Sequence, residues 1–325
     1  IYKFLYVYSR LQNLYFKNLN FTLLGLILKI LFKIIFNILI IIGINFSAYA
    51  FSTDWKISSD GVNDIIKMRI SSATEGVVGL YNIPISLEIV TSTGWKIYWR
   101  NPGDSGLPTE ITFDGSQNLK NFNILWPAPF RFSTFGIDTF GYEGKIILPI
   151  NLIPERVNEE INLISQISLL ACNEICIPFK QDFVLNIPNK PHAPNLNTRE
   201  RAKYLSLVPK LITPKGFSIG AVTLNRDGIL LERIKFPVNN YDVFVENEKG
   251  INFGKPIKSG NNILLPKLNE NIKILDEELI KLTFVSESVS FEKKIKLIQT
   301  RQNINSYFSF FEEIIIFILI SFVGG

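Results

Sequence analysis

An all-β protein of two antiparallel sandwiches is the fold this sequence predicts, on three observations. From Phe51 onward the chain breaks into short alternating segments separated by turn residues, no amphipathic helix of useful length appears, and the texture changes once, between Asn189 and Pro214, before strands resume. The length agrees, because 325 residues with 47% hydrophobic content can fill two cores of ordinary size.

Residues 1–50 differ from the rest. Lys3, Arg10, Lys17, Lys29 and Lys33 are their only charges, and the apolar run Ile34 to Ile44 is interrupted only by Asn37 and Gly43. Ala48-Tyr49-Ala50 follows, an A-x-A cleavage pattern, so the segment is expected to be a secretory signal, the alternative being an uncleaved anchor lengthened by Phe21 to Leu28. Removing those five bases from the chain's 34 leaves 29 against 29 acids. The folded part is neutral, so nothing suggests a nucleic-acid partner, which would need a basic face or stripe. The single histidine, His192, lies between prolines and is expected to be a solvent-exposed loop residue; its isolation argues against Ser-His-Asp hydrolases and poly-histidine metal sites.

In residues 51–190, strands are expected over Ile65 to Ser71, Ile83 to Val90, Trp95 to Trp99, Ile146 to Leu152, Ile161 to Leu169 and Phe183 to Ile187. Asn101-Pro102-Gly103, Trp126 to Pro129 and Gly141 to Gly144 are expected breakers. Residues 191–214 are expected to be a linker, with Thr198 capping a short helix through Leu207 and Pro209 ending it. Residues 215–300 return to strands: Ile219 to Asn225, Ile229 to Phe236, Tyr241 to Glu246, Asn262 to Leu265, Leu279 to Val285 and Phe291 to Leu297. This second domain lacks cysteine and histidine and is expected to act as a spacer or docking surface. In residues 301–325, the apolar run Ile314 to Val323 is expected to open a transmembrane helix.

Cys172 and Cys176 are the only cysteines, with three residues between them. In a straight strand, residues four apart lie about 13 Å apart, beyond the roughly 7 Å a disulfide spans. The backbone must therefore turn between them, at Asn173-Glu174. So short a ring is a poor staple, contributing roughly 2 kcal/mol on a chain-entropy account, and a bond in a tight exposed turn is easier to reduce than a buried one. Export to an oxidising compartment would let the pair form. Three readings stand open: a structural bridge, a reversible redox pair, and a soft-metal site for Cu(I), the last weakened because no methionine or histidine is near. Glu174 lies between the sulfurs and the nearest base in sequence is Lys180, so nothing local stabilises a thiolate, and a relay between two partners is a better description than a strongly activated nucleophile.

Several stretches carry a family resemblance. Gly94 to Asp104, Trp126 to Pro129, Phe140 to Gly144 followed by Leu148-Pro149, and Cys172 to Pro178 resemble, in order, the periplasmic amino-terminal region of the thiol:disulfide interchange protein DsbD family, and more closely its ScsB (suppressor of copper sensitivity) type. Asp242 to Glu246 with Phe253-Gly254 resembles the second periplasmic module of that type, and Phe317 to Gly325 the opening of its first membrane helix. The resemblance implies immunoglobulin-like sandwiches with the pair on one edge, and a protein-disulfide reductase component needing no cofactor and no resident metal. It implies electrons received from a thioredoxin-like domain of the same system and passed to a periplasmic disulfide isomerase or other thiol protein, with anchorage to the inner membrane through the C-terminal segment.

By analogy Cys176 attacks and Cys172 resolves. Counting back from Leu148-Pro149 places Phe135, beside Gly136, as an aromatic cap over the pair, with Tyr142 the second candidate; Trp95, Trp99 and Trp126 are expected in the core. The family's membrane-domain cysteines and carboxy-terminal thioredoxin-like domain are not contained in these 325 residues, which therefore cannot alone move electrons across a membrane. Cu(I) binding for copper tolerance, and a non-catalytic sandwich module with a structural disulfide, are the alternatives.

Overall fold

The computed structural model describes residues 30–34, 51–268 apart from 60, 62, 135 and 226, and 279–299. The expected signal segment, apart from a helical turn at residues 30–34, and the expected membrane segment lie outside the described residues. Among the described residues no helix is long and apolar enough to cross a membrane. Residues 1–50 form a unit separate from the rest.

The first sandwich consists of two facing sheets. One has the order β1 (Lys56–Ser59), β2 (Asp64–Ser72), β3 (Ile83–Thr91), β9 (Lys145–Pro154), β6 (Leu119–Ile124). The other runs β11 (Cys176–Ile187), β10 (Ile161–Cys172), β4 (Lys96–Gly103), β8 (Ile137–Glu143), β7 (Phe130–Thr134), with β5 (Glu110–Thr112) also paired to β10. Period-two alternation explains the packing: along β10, Ile161, Leu163, Ile167, Leu169 and Ala171 point inward and meet Ile70, Leu87 and Leu148 of the opposite sheet in one core. The architecture is consistent with an immunoglobulin-like sandwich.

Two expected breakers lie inside strands. Asn101-Pro102-Gly103 closes β4, where the pairing with β8 shifts register between Tyr98 and Gly103. Gly141, Tyr142 and Glu143 belong to β8, whose residues 138–142 are all buried. Glycine there serves close backbone approach and not a turn. Trp126 to Pro129 is a loop, as expected.

The second sandwich pairs β15 (Ile257–Ser259), β16 (Asn262–Pro266), β13 (Gly228–Glu232), β12 (Ala221–Leu224) and β19 (Ile298–Gln299) in one sheet, and β14 (Asp242–Glu246), β17 (Leu279–Val285) and β18 (Ser290–Lys296) in the other. Ile229, Leu231, Leu265, Leu282, Phe284 and Phe291 fill its core. The turn between β12 and β13 is held by Asn225, whose side-chain oxygen accepts the N–H groups of Asp227 and Gly228.

The connection between the sandwiches contains α1 (Asn197–Leu205), which packs on the first sandwich through Arg201 and Tyr204. Thr198 does not cap it, contrary to expectation, because the helix starts one residue earlier. The Thr198 hydroxyl instead donates to the Ala73 carbonyl and accepts from the Asn195 N–H, tying the connection to the end of β2.

The two sandwiches meet along β14. Phe244 leaves its own sheet's core and enters that of the first sandwich, edge-on to Trp99 (5.9 Å between centroids) and Phe140 (4.9 Å). Around it, Arg131 donates to both Asp242 oxygens at 2.8 and 3.1 Å and to Asp138 at 2.8 Å, while Arg100 donates to Glu246 at 2.9 and 2.8 Å and also to Glu292. Two desolvated guanidiniums, each shared between two carboxylates, complete this joint; burial alone would lower their pKa values, and the carboxylates outweigh it and raise them.

Candidate functional site

The site is built on the hairpin joining β10 and β11. Its strands pair without interruption from Ile161↔Ile187 to Cys172↔Cys176, and inward pairs such as Leu163↔Leu185 and Leu169↔Phe179 fix that register. Pro178 is tolerated because β11 is the edge strand, where no further ladder needs its missing N–H. At the tip the Asn173 N–H donates to the Ile175 carbonyl at 2.9 Å, and the chain reverses as the cysteine spacing requires. Cys172 and Cys176 are bonded, with Cα atoms 4.1 Å apart.

The two sulfurs are not equivalent. Cys176 is exposed, together with Asn173, Glu174 and Ile175, whereas Cys172 is 2% exposed. Cys172 is nevertheless outside the hydrophobic core. Its neighbour Ala171 lies in the row Ala171↔Ile97↔Tyr142, all three in the core, so Cys172 projects from the opposite face in the row Cys172↔Lys96↔Glu143.

That row places Tyr142, the second cap candidate, on the other face of the sheet from Cys172. Tyr142 is not a cap: it points into the core, 2% exposed, and its hydroxyl donates to the Pro127 carbonyl at 2.7 Å. Burial pushes its phenol well above the usual range. Phe135 lies outside the described residues; β7 and β8, which flank it, form a hairpin at the far edge of the same sheet. Trp99 and Trp126 are in the core and Trp95 packs against it, as expected. His192 is exposed, and its ring Nδ1 lies 2.8 Å from the Val78 carbonyl.

Lys96 escaped the sequence reading. It stands directly opposite Cys172 on the neighbouring strand, a basic residue in register with the cysteine although 76 positions away in the chain. Its ammonium lies 5.3 Å from the centre of the Phe132 ring, and partial burial lowers its pKa, offset in part by the Glu143 charge. Glu143 also accepts the Gly94 N–H at 2.7 Å, fixing the turn between β3 and β4. That turn lies against the cysteine hairpin: Gly94 has φ +81°, and a Cβ there would lie 3.4 Å from the side-chain nitrogen Nδ2 of Asn173. Among the described residues no group of three or more His, Cys, Asp or Glu is placed to hold a metal.

A β-sandwich that presents a cystine at a hairpin tip, one sulfur open and the other sheltered, defines a class of domain suited to thiol–disulfide exchange. Residues 80–188 match the family model for the thiol:disulfide interchange protein DsbD, N-terminal. The N-terminal periplasmic domain of ScsB from Proteus mirabilis has the same fold, with a TM-score of 0.62 at 20% identity, covering 77% of this chain and 100% of that one. The Pseudomonas aeruginosa CupB2 chaperone, at 11% identity and covering 70% of this chain and 99% of that one, reaches a TM-score of only 0.20. No curated protein matches the sequence.

Proposed function

We propose that this protein is a periplasmic thiol–disulfide exchange module, anchored to the inner membrane, that accepts two electrons from a thioredoxin-like domain and passes them to a disulfide isomerase or another thiol protein. The observation that carries this reading is the asymmetry of the pair. An incoming thiolate can reach Cys176 at the exposed tip, while Cys172 is sheltered beside it. Attack on Cys176 forms a mixed disulfide with the partner and expels Cys172 as a thiolate; the partner's second thiolate then cleaves the mixed disulfide and leaves both cysteines reduced. Delivery of electrons runs the same steps in reverse on a second partner.

The test is trapping. With Cys172→Ser, a mixed disulfide on Cys176 is expected to accumulate when the protein meets a thioredoxin-like donor that lacks its second cysteine and carries its first as a thionitrobenzoate disulfide, whose thionitrobenzoate leaves as Cys176 attacks; Cys176→Ser should give little, and a redox titration of the unmodified pair should place its potential above about −300 mV. A pair that glutathione cannot reduce would mean a structural bridge instead. Phe135 is proposed as the cap that shields the pair from small oxidants and reductants, with Gly136 as its hinge. Phe135→Ala is expected to speed reduction by dithiothreitol several-fold with unfolding unchanged; an unchanged rate would remove the cap from the mechanism.

A further inference from the structure

We infer that Lys96 is a positioning residue for the exchange, the counter-cation that holds Cys172 as a thiolate whenever Cys176 is engaged in a mixed disulfide. This rests on the proposed exchange reading and adds the group that makes its buried leaving sulfur tolerable.

The argument starts from solvation. When Cys176 is attacked, the electron pair of the broken S–S bond stays on Cys172, and no proton accompanies it. Cys172 is 2% exposed, so water can do little for that charge, and burial by itself raises a thiol's pKa and makes it a poor leaving group. A compensating cation is needed on the same face of the sheet. Directly opposed residues of an antiparallel pair have Cβ atoms about 5 Å apart and side chains on one face, which is the relation of Cys172 to Lys96.

The remaining ionisable groups do not substitute for it. Glu143, one strand further along the row, and Glu174, in the turn, are acids and would oppose a thiolate. Lys180 is opposite Ser168, four rungs down the hairpin and about 13 Å away by strand rise. In the resting disulfide the ammonium is drawn the other way, over the Phe132 ring of β7 and toward Glu143 of β8, so it has to swing across its own strand to meet a thiolate on Cys172. Its lowered pKa marks a partly desolvated ammonium, which gains more from an adjacent anion than a fully hydrated one would. In the resting disulfide there is no thiolate to pair with, and the interaction appears only as the S–S bond opens, which is the condition for accelerating the step.

The experiment measures thiolate absorbance at 240 nm against pH, which needs no reagent to reach the sulfur. In Cys176→Ser protein, where Cys172 is the only thiol, adding Lys96→Met is expected to raise its pKa by about one unit, equivalent to about tenfold less thiolate at neutral pH. Lys96→Arg should restore most of the shift. In Cys172→Ser protein the Cys176 titration should move much less, because Cys176 is solvated without help. Lys96→Met in the unmodified pair should slow reduction by dithiothreitol several-fold. A Cys172 pKa that Lys96→Met leaves in place, or that Lys96→Arg fails to restore in protein with native circular dichroism, overturns the inference. Failure of the exchange reading looks different: the unmodified pair would then resist dithiol reductants whatever stands at position 96.

Discussion

Gly141→Ala is expected to destabilise the protein by more than about 4 kcal/mol, an unusually large cost for adding one methyl group. A Cβ at this position would lie 1.9 Å from the Ile97 carbonyl oxygen and 3.1 Å from the Tyr98 Cα, both backbone atoms of β4. Ordinary overpacking costs about 1–3 kcal/mol because side chains can shift. Here the obstacle is a ladder that cannot yield easily. β8 is flanked by β4 on one side and β7 on the other, with Gly141 paired to Tyr98 and to Phe130. β4 is in turn held by its pairing to β10 and by Arg100, and β7 by Arg131 on Asp242. The only relief is to part β8 from β4, which separates Glu143 from Lys96 and loosens the strand beside Cys172. Urea unfolding followed by far-ultraviolet circular dichroism should show the loss, and the disulfide should become more readily reduced. A midpoint within about 1 kcal/mol of the parent would mean the strands slide freely, contrary to this account.

How far the sequence could be read follows from the range of each interaction. The cysteine hairpin was legible because its logic is local: the spacing of Cys172 and Cys176 forces a turn, and β10 and β11 alternate with little interruption. Both regions of strands were legible for the same reason, and Leu279 to Val285 was bounded correctly. The hairpin of β7 and β8 was missed because β8 is buried on both faces and so lacks alternation, and because Gly141 resembled punctuation. Lys96 was invisible as a site residue because its relation to Cys172 exists only after β4 and β10 pair. Nothing in the sequence singles out Arg100 and Arg131, because Asp242, Glu246 and Phe244 reach them only through the placement of β14. The second sandwich, expected as a spacer or docking surface, thus contributes a side chain to the core of the first.

Trp99 offers the sharpest test of that shared core. Trp99→Ala is expected to cost about 4 kcal/mol, near the middle of the range for truncating a large buried aromatic. The residue is fully buried, its ring meets Phe244 edge-on at 5.9 Å, and the Arg100 guanidinium lies 4.4 Å from its centre. Deleting the indole would leave a cavity where Phe244 enters from β14 and remove the surface on which Arg100 is aligned toward Glu246. The loss should therefore weaken the joint between the sandwiches as well as the first core. Trp99→Phe separates packing from polarity. The indole N–H is buried with no hydrogen-bond partner among the described residues, and an unsatisfied buried donor costs about 1–3 kcal/mol. Phenylalanine gives up some volume but also removes that donor, so its net cost should stay within about 1.5 kcal/mol. In Trp99→Ala, but not in Trp99→Phe, limited proteolysis should cut the 188–216 connection faster, because the second sandwich is no longer held against the first. If Trp99→Ala lowered global stability while leaving that cleavage rate at the parent value, Phe244 would be a passenger in the first core and the two sandwiches would be coupled through their ion pairs alone.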